Sequence, residues 1–301
     1  MEIFKDKYMI GSASGPSWDV KITPPTHKVK SYYEETAAAI QYVYENKTGK
    51  LQVLLSGGVD SQYVCQVLLK LGINFEAVVI ELNNSQGFAY NAEDTNYAYE
   101  FANSHGIKVV RYDLNFDEFV ESGKITELAE ATTCSAAPIV STMHAITQLD
   151  GFTILGSDPP YLKLKNDIWY FEANEDAFAL ERFYSKYNLS GCPYMLTFTA
   201  GQTLSFLLDP TIVKLGNGQI AGKTGSNSSK SHVFNNGTDF NLPVYDYVTK
   251  SRIKMTGHEQ INKSAIANHP NLKIFAQYKN IWYGEYLEPY NDIVTRLSVN
   301  Q

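Results

Sequence analysis

The sequence predicts an α/β protein: a doubly wound parallel sheet followed by a mixed α+β C-terminal region. Two observations carry the prediction. From residue 51 to about 158, short and nearly all-apolar runs alternate with amphipathic stretches, the pattern of buried parallel strands joined by covering helices. Beyond residue 160 that alternation stops, and helical stretches mix with turn-rich segments. The expected organisation is a lead-in and helix over 1–50, a nucleotide-type α/β unit over 51–160, and a mixed substrate or lid region over 161–301.

Residues 10–25 are rich in Gly, Ser and Pro and are expected to be irregular. Residues 31–46 (SYYEETAAAIQYVYEN) then form a helix with Ser31 as N-cap. The alternating unit opens with a strand over 51–55 and a helix over 61–71, where Val64, Val67, Leu68 and Leu71 repeat at helical spacing. A strand over 76–82, a helix over 92–105 and a strand over 108–114 follow. Gly72 and Gly106 stand where helices commonly end on a left-handed residue. Pro138 suits the first turn of a helix over 138–149, which leads to a strand over 152–155, so the unit closes near Asp158. Farther on, 175–187 and 194–208 read as helices. Residues 212–223 read as a hairpin around Asn217-Gly218, and 284–297 as a last helix.

Composition narrows the function classes. A chain of 301 residues with 44% hydrophobic content can bury a sizeable core. Its 25 basic and 32 acidic residues leave a net charge of −7, which disfavours a dedicated nucleic-acid binder. The start, MEIFKDKYMIGSAS, lacks a signal-peptide core, and no apolar run reaches membrane length, so a cytoplasmic protein with no membrane contact is expected. Cys65, Cys134 and Cys192 form no CxxC pair, which argues against a disulfide framework or a four-cysteine zinc site. No HxxxH or HExxH occurs; His144 and His258 read as structural, and the 21 tyrosines and 15 phenylalanines as core packing.

The segment carrying chemistry is LLSGGVDS. A glycine-rich turn between a buried strand and a helix offers backbone N–H groups to an anion, with no Cβ at Gly57 and Gly58 to obstruct it. Yet the turn has no GxxxxGK[ST] lysine, and Asp60 would repel a polyphosphate. A divalent cation bridging carboxylate and phosphate oxygens removes the conflict. The plainer alternative makes Asp60 or Ser61 a helix N-cap and the glycines an ordinary turn.

Ser56-Gly57-Gly58-Val59-Asp60-Ser61 resembles the PP-loop of the N-type ATP pyrophosphatases. That superfamily includes the synthetase domains of asparagine, GMP and NAD synthetases, tRNA-lysidine synthetase and tRNA thiolation enzymes. The resemblance is specific over 51–71 and extends through about 158. It implies an adenine nucleotide alpha hydrolase-like sheet of order 3-2-1-4-5, with ATP cut between its α and β phosphates in the presence of Mg²⁺. It implies that Leu55, Ser56, Gly57, Gly58, Val59, Asp60 and Ser61 hold the nucleotide, with adenine against the backbone near Leu55 and Ile80. Gly156, Ser157 and Asp158, after the fourth strand, are similar to the glycine-then-acid segment of asparagine synthetase, although Pro159 stands where the fuller signature has Glu. Asp158 is then a Mg²⁺ or substrate contact beside Asp60, or a turn residue favoured before proline.

Departing pyrophosphate needs cations. Candidates are Lys163, Lys165, Lys223, Lys230, Arg252 and Lys254. The basic, hydroxyl-rich segment GKTGSNSSKSH (222–232) is the most suggestive, although a solvated linker would look the same. Lys223 and Arg252 join Asp60 and Asp158 as the expected catalytic set. The function expected is an AMP-forming ligase that activates a carboxylate or amide-type oxygen of a small-molecule substrate for attack by ammonia or an amine, closest in flavour to the asparagine synthetase C-terminal domain. Glu2 after Met1 leaves no N-terminal cysteine for a glutaminase, so ammonia, an amine substrate or a separate nitrogen-donor subunit as partner is expected to supply nitrogen. Two alternatives stay open: a tRNA sulfurtransferase using Cys134 and Cys192, which would make tRNA a partner, and a nucleotide-binding protein without turnover. The loop aspartate counts against an adenylyl sulfate reductase.

Overall fold

The computed structural model describes residues 22–157, 160–173, 176–219, 229–243, 256–280 and 286–301. Helix α1 (Tyr32–Asn46) begins on Ser31 with a reciprocal capping box. The Ser31 hydroxyl accepts from the Glu34 amide, and the Glu34 carboxylate accepts from the Ser31 amide. Next come β1 (Leu51–Leu54), α2 (Val59–Lys70), β2 (Glu76–Asn83), α3 (Ala92–Ser104) and β3 (Val109–Asn115). Gly72 and Gly106 end α2 and α3 at φ +67° and +63°.

The stretch between β3 and the next strand holds more helix than the single one expected. Helices α4 (Phe116–Glu121) and α5 (Lys124–Thr132) precede α6 (Ala137–Ile146), which leads to β4 (Phe152–Leu155). Gly123, at φ +77°, breaks the first two apart and leaves each too short for a clear periodic signal.

Strands β5 (Tyr161–Lys165) and β6 (Ile168–Ala173) form an antiparallel hairpin, followed by α7 (Asp176–Lys186) and the two-residue β7 (Gly191–Cys192). The stretch expected as one helix over 194–208 is a 3-10 turn at Met195–Thr197 and then α8 (Ala200–Leu207). The expected hairpin over 212–223 is instead α9 (Pro210–Gly216) as far as it is described; residues 220–223 lie outside the described residues. Asp209 caps α9 through the Thr211 amide, Pro210 occupies its first turn, and Asn217-Gly218 closes its C-terminus with Gly218 at φ +68°. Helices α10 (Lys230–Asn235), α11 (Thr256–Lys263) and α12 (Lys273–Asn280) follow. The expected last helix is two elements, β8 (Tyr286–Pro289) paired with β6, and α13 (Tyr290–Leu297).

The main sheet is parallel throughout, in the order β3-β2-β1-β4-β7. This is the expected order, with β7 as the fifth strand and the β5-β6-β8 sheet standing apart from it. Alternation along the strands separates two cores. Val53, Ala77, Val79 and Ile154 pack with α1, α2, α3, α8, α9, α10 and α13; Leu54, Val78, Leu114 and Leu155 pack with α4, α5, α6 and α7. Among the described residues, no helix is long and apolar enough to cross a membrane.

Candidate active site

In an open parallel sheet the crevice opens beyond the carboxyl ends of the strands, where connections diverge to opposite sides. Here that point lies between β1, which leads to β2, and its other neighbour β4. The glycine loop of residues 55–58 and the Gly156-Ser157 pair both leave the sheet there.

Leu55 is buried and continues the strand, its amide donating to the Val78 carbonyl at 2.9 Å. Ser56 follows, exposed, and Gly57 turns the chain at φ +77°. A Cβ on Gly57 would lie 2.2 Å from the Asp94 carbonyl oxygen and 3.0 Å from the Ala98 amide, so the loop passes flush against the first turns of α3. Gly58 is the N-cap of α2 and makes no side-chain capping bond. The helix therefore starts at Val59, two residues before the expected 61, and neither Asp60 nor Ser61 is its cap. Asp60 instead stands in the first turn, where the helix dipole favours a negative charge.

Ser61 braces the loop from inside. Its hydroxyl donates to the Gly58 carbonyl at 2.9 Å and accepts from the Ser56 amide at 3.3 Å. The Gln62 side-chain amide holds the Gly57 carbonyl at 3.1 Å. Gly156 is fixed by space: a Cβ there would lie 2.8–2.9 Å from backbone atoms of Asp60 and Ser61. The end of β4 thus abuts the first turn of α2. Ser157 turns away from the loop and donates to the Pro193 carbonyl.

The backbone of Ile80, expected near the base, receives a side chain from the residue that precedes α3. The Asn91 carboxamide donates to the Ile80 carbonyl and accepts from the Leu82 amide, both at 2.8 Å, covering the edge of β2 beyond the end of β1. That carbonyl of Ile80 is already engaged.

The loop's cation comes from the last third of the chain. Lys230, the first residue of α10, donates to Asp60 Oδ2 at 2.6 Å, with side-chain exposures of 4% and 19%. Asp60 Oδ1 is buried and has no hydrogen-bond partner among the described residues. Helix α10 is seated on α2 by Phe234, whose ring stacks on buried Tyr63 with centroids 4.2 Å apart and planes 8° from parallel. Among the described residues no cluster of three or more His, Cys, Asp or Glu side chains could hold a metal. The orphan oxygen of Asp60 nonetheless fits a hard divalent cation, which prefers carboxylate and phosphate oxygens. Asp158, Lys223, Arg252 and Lys254 lie outside the described residues.

The sequence placed Lys230 among six candidate cations without singling it out, because only the packing of α10 on α2 selects it. Lys163 lies apart from the loop, near Glu172 within the β5-β6 hairpin. Cys65, Cys134 and Cys192 are all fully buried, and burial pushes the Cys65 thiol far above its ordinary range. Cys134 and Cys192 belong to different cores. Burial, and secondarily Lys124, hold His144 below the usual imidazole range, and its ring stacks on Phe119.

No sequence-family profile and no curated protein matches the chain. Solved structures that resemble it include the NMN synthetase of Francisella tularensis, at 15% identity and TM-score 0.30 over 80% of this chain and 94% of that one. The tRNA thiolase NcsA of Methanococcus maripaludis aligns at 15% identity and TM-score 0.33 over 83% and 80%. The NH3-dependent NAD synthetase of Campylobacter jejuni does so at 14% identity and TM-score 0.33 over 83% and 92%.

Proposed function

We propose that this chain is a cytoplasmic ATP pyrophosphatase of the PP-loop kind that activates an oxygen of a small substrate as its adenylate and passes it to ammonia or an amine. The observation that carries the reading is Asp60: a carboxylate in the first turn after a glycine loop, at the switch point of a parallel sheet, with one buried oxygen unpartnered.

The amides around Gly57, Gly58 and Val59 cradle phosphates, and Ser61 and Gln62 keep the loop in the shape that presents them. Asp60 Oδ1 would hold Mg²⁺, which when bound screens the polyphosphate and draws electron density from the phosphorus under attack. A carboxylate or amide oxygen of the substrate attacks the α-phosphorus, and the bond to the bridging oxygen breaks, releasing pyrophosphate. Ammonia or an amine then displaces AMP. The chain supplies position and charge, with no protein nucleophile required. Asp158, Lys223 and Arg252 are proposed to complete the set, and a separate subunit to deliver nitrogen.

The test is Mg²⁺-dependent release of pyrophosphate and AMP from ATP in the presence of a metabolite extract. Asp60→Ala should lower it by about 100-fold or more; unchanged release removes Asp60 from the mechanism. Alanine at both Cys134 and Cys192 should leave turnover in place, whereas a sulfurtransferase would lose it.

A further inference from the structure

Asp60 has two claims on it. The proposed function asks it to hold a divalent cation, and Lys230 already donates to it at 2.6 Å from a nearly fully buried position. An ammonium and a divalent cation cannot both sit tightly on one carboxylate without facing each other across a few ångströms in a poorly screened site. One of them must yield.

The way α10 is attached shows what can move. Its backbone is anchored at both ends. Phe234 stacks on Tyr63, the Asn235 amide donates to the Leu242 carbonyl at 3.0 Å, and the Asn236 amide donates to Asp209 at 2.7 Å. At the N-terminal end the Ser231 hydroxyl donates to the Pro243 carbonyl at 2.8 Å, while Ser229 makes no side-chain capping bond. The Lys230 ammonium can therefore leave Asp60 by side-chain rotation while Phe234 stays seated. Once displaced, it is already beside the loop that cradles phosphates.

We infer that Lys230 and a divalent cation hold Asp60 in turn. In the nucleotide-free chain the lysine neutralises the carboxylate and keeps the loop closed against α10; the arriving metal–nucleotide takes Asp60 and transfers Lys230 to phosphate oxygens. The inference rests on the proposed function for its second half, while the exchange at Asp60 is testable without nucleotide. It makes Lys230 a positioning residue that sets how readily metal enters.

Mn²⁺ alone, titrated into the nucleotide-free protein and followed by loss of its free-ion EPR signal, reads the exchange. Lys230→Met should lower the Mn²⁺ dissociation constant at least tenfold, and Lys230→Gln, which keeps a hydrogen bond to Asp60, should do so less. Adding Asp60→Asn to Lys230→Met should abolish the gain. Folded Lys230 variants that bind Mn²⁺ no more tightly than the wild type overturn the inference.

A second measurement needs no variant. Acetic anhydride labelling of the wild type, mapped by mass spectrometry, should modify Lys230 several-fold faster with Mn²⁺ than without, relative to exposed Lys28. Unchanged relative labelling overturns the inference as well. If labelling and EPR behave as expected but ATP yields no pyrophosphate, the exchange stands and the proposed function falls; the reverse result sinks only the exchange.

Discussion

Gly57 and Gly72 both have positive φ, but they should respond differently to a methyl group. At Gly72 nothing lies within 4 Å of where a Cβ would stand, so Gly72→Ala meets only the backbone penalty, about 1 kcal/mol. At Gly57 that carbon would also strike the Asp94 carbonyl at 2.2 Å, a backbone atom that cannot rotate away. Gly57→Ala should cost about 3 kcal/mol or more in urea unfolding, since α3 must shift as well. Equal losses at both sites would show that the contact with α3 is soft. The glycine loop and its carboxylate were legible as a motif because they are local: six adjacent residues that leave a strand and open a helix. Asp94, Asn91 and Lys230 were not, because each reaches the site through packing between elements distant in the chain.

At the scale of elements, α10 is coupled to α2 by an aromatic face as well as by the Lys230–Asp60 pair. Phe234→Ala removes a fully buried ring and its stack on Tyr63, and should destabilise the fold by about 3–5 kcal/mol. A double-mutant cycle with Tyr63→Leu should return about 0.5–1.5 kcal/mol of coupling; zero coupling would leave the stack as mere adjacency. The alternating unit was readable where its helices, α2 and α3, are long enough to show their period, and not at α4 and α5. The Asn217-Gly218 pair misled because a tight hairpin and a helix end both need a residue at positive φ, and the same dipeptide serves either. The segment before α13 misled for a related reason. Pro289 ends β8 and leads directly into the helix, so strand and helix run together without a loop to separate them.

For the whole molecule, the opposite end of the sheet contributes to stability in acid. Lys108 first, then Lys50, pull the Glu76 carboxyl down from its ordinary 4.5 to about 2. The folded state then binds fewer protons at Glu76 than the unfolded chain does. Its contribution is complete above about pH 4.5 and is lost as pH falls toward about 2. The lysines are substantially exposed, so screening reduces the gain to about 1–2 kcal/mol. Glu76→Gln should flatten the stability curve between those limits and leave the slope above pH 5 unchanged, as read by urea midpoints across pH. A mutant curve parallel to that of the wild type would place the acid sensitivity elsewhere.

The pairing of Asp60 with Lys230 spans 170 residues of chain. During synthesis the glycine loop and the helix behind it leave the ribosome long before their counter-charge exists. A nascent chain that ends at α8 has the whole glycine-loop motif and the strands that flank it, yet holds Asp60 without its partner Lys230. The order of synthesis thus delays the assembly of the site until α10 is made, so the part most recognisable in the sequence is among the last to be finished.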